Sequence, residues 1–222
     1  MEHLELVENS KLNVFTINDL DELSHNNGVL LTFDDGGRSA MSISKKLDEL
    51  GMKGHFFITT SMIGNKYFLN KEEIADIADR GHIIGSHSHT HPNVFKRLSK
   101  KEMLYEWTKS KEILEEVLGK EINSCSIPGG DADKKTYTTA IDVGYKYIFN
   151  SDPSLSPVKE GDTLIIGRIC PKKGEKIEKI RDYLRFKNIQ REFYKRMLKN
   201  NLKKILYPLY IYRRKKDKHF ER

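Results

Sequence analysis

At 222 residues, 37% of them hydrophobic, the chain is long enough for one domain with a buried core and an appendage, which argues against an array of domains. Lys and Arg outnumber Asp and Glu by 39 to 32, but residues 181–222 hold 15 basic and 4 acidic side chains, so the first 180 carry 24 against 28, a net of −4. The basic surplus therefore belongs to the tail, and an acidic partner of the tail need not be the substrate of the main domain. No apolar run approaches the ~20 residues that cross a bilayer, and Met1 to Lys11 is acidic where a signal peptide is basic and then apolar, so the expectation is a cytoplasmic protein. Cys125 and Cys170 lie in or near apolar stretches and are expected as buried free thiols.

The chain divides into a lead segment over 1–27, a main domain over 28–180 and a basic tail over 181–222. In the main domain GVLLTF (28–33) reads as one apolar strand, and Ala40 to Leu50 as an amphipathic helix stopped by Gly51. His55 to Thr59 is a buried strand, Lys71 to Arg80 a helix ended by Gly81, and Ile83 to Gly85 a short strand. Ser99 to Leu118 is a long helix capped by Ser99 and stopped by Gly119. A strand near Ile122 to Ile127, a helix near Lys134 to Val143, and strands near Tyr147 to Asn150 and Thr163 to Ile169 complete the pattern. Such alternation predicts an α/β fold with a parallel sheet, open or closed into a barrel, and a site at the C-terminal ends of its strands.

Two strand ends carry chemistry. The first closes in Thr32-Phe33-Asp34-Asp35-Gly36-Gly37, two carboxylates at the mouth of a buried strand. Adjacent strand residues point to opposite faces, so both acids reach one cavity only if the backbone bends, which the glycines permit. Taken alone, DDGG reads as an ordinary turn. The third strand runs into His87-Ser88-His89-Thr90-His91-Pro92, with three of the eight histidines within five residues. Imidazole is the usual nitrogen ligand for a borderline divalent metal, and two imidazoles with a carboxylate leave positions open for water and substrate. Spacing alone leaves the ligands open: on a helix His87 and His91 share a face, whereas in an extended segment all three histidines do.

TFDDG at 32–36 followed by H-S-H-T-H-P at 87–92, with GHFFITTSMIG (54–64) and RGHIIGSHSHTHPN (80–93) around them, resembles the polysaccharide deacetylase family, the NodB-homology or carbohydrate esterase 4 group, over roughly residues 28–170. The resemblance implies a distorted (β/α) barrel. It also implies that Asp35, His87 and His91 hold one divalent ion, zinc before cobalt, nickel or manganese, that Asp34 is the general base, and that His89 is a bystander or supports the ligands from behind. The reaction implied is hydrolysis of an N-acetyl group on a sugar of a cell-surface polysaccharide or glycolipid. In a third motif, at Ser126-Ile127-Pro128-Gly129-Gly130, the family places the backbone N–H that stabilises the oxyanion, here at Gly129.

The sequence departs from that pattern at two points. Ser126 stands where many members have an arginine that orients the catalytic aspartate. The late histidine that protonates the leaving amine has no counterpart: the corresponding strand end reads Leu164-Ile165-Ile166-Gly167-Arg168, and no histidine follows before His219. Arg168 could stabilise charge but hardly gives up a proton, Asp152 would need a raised pKa, and His55 and His82 stand at the wrong ends of their strands. The gap leaves a second reading, a metal-binding glycan-binding or scaffold protein without turnover, and a third, a metal hydrolase of another acyl substrate.

In the tail, Phe186, Ile189, Phe193, Met197, Leu198, Leu202, Ile205, Leu206, Leu209 and Tyr210 recur at helical spacing, with Arg191, Lys195, Arg196, Lys199, Lys203 and Lys204 largely on the other side. This is a basic amphipathic helix that either packs on the domain or lies on an anionic membrane surface, with Arg213 to Lys216 toward the head groups. The second alternative would place the protein on the inner face of the cytoplasmic membrane, near lipid-linked glycan. No nucleic-acid recognition motif accompanies the charge.

Overall fold

The structure, a computed structural model, describes residues 2–20, 26–172 and 174–205, the side chains of 200 and 203–205 excepted. The tail positions from Leu206 onward, including Leu209, Tyr210, Arg213 to Lys216 and His219, lie outside the described residues. Helix α1 (Glu2–Ser10) and strand β1 (Asn13–Phe15) precede β2 (Gly28–Leu30) and β3 (Thr32–Phe33). Helix α2 (Ser39–Glu49), β4 (His55–Ile58), α3 (Lys71–Asp79), β5 (Ile83–Ser86), α4 (Lys100–Leu118), β6 (Ser124–Ser126), α5 (Lys134–Asp142) and β7 (Tyr147–Phe149) then alternate. Strands β8 (Val158–Glu160) and β9 (Thr163–Ile166) and helices α6 (Ile177–Leu184) and α7 (Ile189–Ile205) follow.

Seven strands form one sheet in the order β3-β4-β5-β6-β7-β9-β8, parallel except where β8 runs against β9. From β3 to β7 each strand lies beside the next in sequence, so the sheet winds in one direction and curls into a distorted, incompletely closed (β/α) barrel. β4 and β5 lie between layers, which is why HFFI is apolar throughout except for a hydrogen-bonded histidine. Helices cover them through Leu47, Ile74, Ile77, Met103 and Leu114, and Trp107 packs tilted against Phe95 and edge-on to Tyr145. Capping boxes at Asn70/Glu73 and Ser99/Glu102 set the starts of α3 and α4, and Gly119, at φ 62°, ends α4 in the left-handed conformation.

The single strand expected over 28–33 is two. β2 pairs with β1 in a separate parallel ribbon, and β3 joins the main sheet beside β4. Between them, the Leu31 carbonyl accepts from both the backbone N–H and the ring Nδ1–H of His55, at 2.8 and 2.9 Å. Leu6 of α1 packs with Ile169, Ile180, Tyr183, Leu184 and Ile189 in a small satellite core. Cys125 and Cys170 are free, the first buried and the second exposed.

Candidate active site

The residues expected to carry chemistry follow the C-terminal ends of sheet strands: Asp34 and Asp35 after β3, His87 and, farther along the loop, His91 after β5, Gly129 after β6 and Arg168 after β9. The bend that brings both acids to one side is made by Asp35 and Gly36, at φ 77° and 75°. A non-glycine residue in the left-handed region costs on the order of 1 kcal/mol. The turn is pinned by Thr59 N–H to the Asp35 carbonyl at 3.3 Å and Leu69 N–H to the Gly36 carbonyl at 3.0 Å.

His87 is buried, and its Nδ1 lies 2.9 Å from the Ser126 carbonyl. A carbonyl only accepts, so Nδ1 carries the hydrogen and Nε2 faces the site. Nε2 of His87 is 3.3 Å and Nε2 of His91 is 3.5 Å from Asp35 Oδ1. The three donor atoms fall within 4.8 Å of one another. His91 stands at φ 53° in a loop held by His91 N–H to Ser88 Oγ at 3.1 Å. Thr90 anchors the same loop by donating its N–H and hydroxyl to buried Glu106, at 2.7 and 2.6 Å. Burial presses the His87 pKa down, but the Asp34 and Asp35 carboxylates outweigh it and the net shift is upward. The Asp35 pKa is lowered, chiefly by its hydrogen bond with His87. The cluster thus favours positive charge between these groups, and two imidazole nitrogens with one carboxylate oxygen form a donor set that fits zinc.

Asp34 is held differently. Arg168 donates Nη1 to Asp34 Oδ1 at 2.8 Å and Nη2 to Oδ2 at 2.9 Å, a bidentate fork across 134 residues of chain. Its other N–H groups go to Asn150 O at 2.9 Å, Ser126 Oγ at 2.7 Å and Thr32 Oγ1 at 3.2 Å, so all five are taken by the protein. The charge-stabilising part expected of Arg168 therefore has a different target, the Asp34 carboxylate, because no N–H is left for an incoming group. The guanidinium comes from the end of β9, while the shorter Ser126 on β6 accepts one of its N–H groups. Through Thr32 and Asp34 it also ties the end of β9 to β3 across the gap in the barrel. Burial pushes the Asp34 carboxyl up, yet His87 and Arg168 together prevail and bring it to about 2.

The remaining candidates lie elsewhere. His89 pairs with Thr60 Oγ1 at 2.9 Å and packs edge-on against Tyr105. His55 and His82 are buried, accepting from Ile17 N–H and Gly54 N–H, both at 3.1 Å. Asp152 is engaged by Arg196 of α7 at 2.5 Å. Gly129, at φ 67°, begins a left-handed pair with Gly130 at φ 66° in the turn after β6. The Arg168 fork and the Arg196 contact were invisible as local pattern: each joins strand ends or a helix far apart in sequence, and the one signal for the first was the serine at 126.

The family model for polysaccharide deacetylases matches residues 23–148, more than half of the chain, and the chain belongs to that family. The protein YxkH of Bacillus subtilis (strain 168), named for the same family, is 28% identical over 137 residues. That match covers 60% of this chain and 48% of YxkH, about half the relative's length. Among solved structures, IcaB from Ammonifex degensii superposes with a TM-score of 0.71 at 17% identity, covering 83% of this chain and 85% of that one. The Streptococcus pyogenes deacetylase PplD, solved in complex with acetate, gives a TM-score of 0.66 at 19% identity, covering 76% and 79%. BA0330 from Bacillus anthracis gives 0.70 at 21% identity, covering 81% and 58%. At these identities the likeness is one of fold.

Proposed function

We propose that this chain is a divalent-metal-dependent hydrolase that removes N-acetyl groups from an N-acetylated sugar of a cell-surface polysaccharide or glycolipid. The observation that carries the reading is the convergence of Asp35, His87 and His91 beside an Asp34 held by Arg168, in a chain of the deacetylase family. Asp35, His87 and His91 would hold the ion, zinc before cobalt, nickel or manganese. Such an ion supplies Lewis-acid activation of a water and of the acetyl carbonyl. Asp34, ionised at neutral pH, takes the proton of the attacking water, while Arg168 fixes the plane in which its free lone pairs point. The Gly129 N–H stabilises the oxyanion. Once protonated, Asp34 also returns that proton to the leaving amine, the task for which no late histidine is present in the corresponding strand.

The test is acetate release from N-acetylated oligosaccharides by the zinc-loaded protein, before and after chelation. Zinc-dependent release supports the reading. Tight zinc binding with no release from any acetylated glycan favours the glycan-binding alternative, and release from O-acetyl esters alone favours the other-acyl alternative.

We further propose that the tail docks on an anionic membrane at the cytoplasmic face and that lipid-linked glycans are among the substrates. What supports this is the orientation of α7. Phe193, Tyr194, Met197, Leu198 and Leu202 form one exposed stripe at helical spacing, beside Arg191, Lys195 and Lys199. The buried Ile189 and the ion-paired Glu192 and Arg196 face the domain. No helix among the described residues is long and apolar enough to cross a membrane. Flotation with phosphatidylserine vesicles is expected to carry the protein but not Leu198→Glu, and equal flotation of the two would contradict the idea.

A further inference from the structure

The C-terminal helix does more than cover one side of the domain: it touches the turn that holds the expected oxyanion donor. Arg196 of α7 donates Nη2 to the Gly130 carbonyl at 2.8 Å and Nε to Asp152 Oδ1 at 2.5 Å, and it is largely shielded from solvent. Its acceptors belong to the loops after β6 and after β7, so one guanidinium clamps together two loops that the sheet leaves separate at this end.

The turn needs such a clamp. Gly129 and Gly130 are consecutive left-handed residues without side chains, and glycine gives up the most backbone freedom when fixed. The turn is closed on one side by Gly130 N–H to the Ile127 carbonyl at 2.9 Å, and the Arg196 guanidinium closes the other. A Cβ at Gly130 would lie 2.2 Å from Ser151 Oγ and 3.0 Å from Arg196 Nη2, so the backbone is packed between these two residues.

The clamp is also continuous with the base. Arg168 forks onto Asp34 and donates Nε to the Asn150 carbonyl. Asn150 Oδ1 accepts the Asp152 N–H at 2.8 Å, and Asp152 accepts from Arg196, which reaches Gly130. A single hydrogen-bonded path therefore runs from the Asp34 carboxylate to the Gly129–Gly130 turn, and its last link is supplied by the tail.

We propose that Arg196 is a positioning residue, acting through Gly130 to hold the Gly129 N–H where the oxyanion forms. The proposal rests on the deacetylase reading above. A lysine cannot replace it, because a single ammonium lacks the fork that spans a carbonyl and a carboxylate on different loops.

The test uses full-length Arg196→Ala and Arg196→Lys. Expected for Arg196→Ala are a kcat lower by roughly tenfold with KM and zinc affinity near wild type, and recovery of most of that loss in millimolar methylguanidine. Hydrogen exchange of the peptide spanning 127–131 is expected to quicken roughly fivefold. Arg196→Lys is expected to stay impaired. Unchanged kcat and exchange in Arg196→Ala would overturn the proposal. So would a loss of kcat that methylguanidine does not restore and that tracks a fall in melting temperature, which would make Arg196 a fold contact only. If wild-type protein itself releases no acetate, the deacetylase reading fails, and the exchange comparison alone then decides whether Arg196 holds the turn.

Discussion

Replacing Arg168 by methionine removes the fork from Asp34 while keeping most of the side-chain volume. Five hydrogen bonds go, two of them to a carboxylate, and the Asn150 carbonyl and the Ser126 and Thr32 hydroxyls each lose a partner. Breaking a buried ion pair by removing one member typically costs about 3–5 kcal/mol. Asp34 keeps 32% of its side chain in contact with solvent, so the lower end applies, roughly 3 kcal/mol. For the pKa of Asp34, burial then works against His87 and the Ser126 hydroxyl without the guanidinium, and the carboxyl titrates higher than it does now. Activity follows orientation: a base displaced by about 1 Å loses on the order of 100-fold in rate. The expected outcome is a urea midpoint shifted by the equivalent of about 3 kcal/mol, a kcat lower by roughly 100-fold and a zinc affinity within a few-fold of wild type, since Asp35, His87 and His91 are intact. Arg168→Lys should recover part of the stability and little of the kcat, because an ammonium does not match both oxygens. Denaturant titration and steady-state acetate release measure both quantities. An Arg168→Met protein with wild-type kcat would refute the claim that the fork aims the base.

Three further outcomes follow from the same geometry. Glu106→Gln turns an N–H of the amide toward the Thr90 donors that carboxylate oxygens now accept, loosening the His91 loop; zinc affinity by calorimetry should fall about tenfold, and an unchanged affinity would show that the loop holds itself. His55 is buried with Nε2 accepting from Ile17 N–H, and burial takes its pKa from 6.5 to about 4, so the fold binds the neutral ring while the unfolded chain takes up a proton below about pH 6.5. Stability should therefore be fully present above that pH and decline by about 1.4 kcal/mol per unit down to about pH 4, and His55→Gln should lose that share of the slope. Gly130→Ala combines φ 66° with a Cβ 2.2 Å from Ser151 Oγ, so it should cost about 3 kcal/mol in denaturant, and near-neutrality would mean the turn is not packed as described.

The sequence made the α/β alternation legible because buried parallel strands are short apolar runs and the helices between them end at glycines and begin at caps such as Ser99. The metal-ligand candidates were legible because both acids and the histidine cluster follow directly on strands. What escaped has physical reasons. GVLLTF changes partner at Leu31, Gly28–Leu30 pairing with Asn13–Phe15 and Thr32–Phe33 with His55–Phe56, a switch that the uniform apolar run does not mark. Val158–Glu160 is exposed throughout, so no apolar alternation marks it as a strand. Glu2–Ser10 is acidic and short, and its place in the fold comes from tertiary packing, Leu4 in the main core and Leu6 in the satellite core with Ile180 and Ile189. The Arg168–Asp34 fork and the Arg196–Gly130 bond depend on the curl of the sheet, which the spacing of residues along the chain does not encode.

The central claim is that Asp34 acts as the base beside an ion held by Asp35, His87 and His91, and it is tested most directly by Asp34→Asn. Zinc titration and acetate release on that variant should give wild-type zinc affinity with turnover below about 1% of wild type, since the amide keeps the shape but cannot take a proton. Turnover close to wild type, or loss of zinc together with activity, would contradict the account.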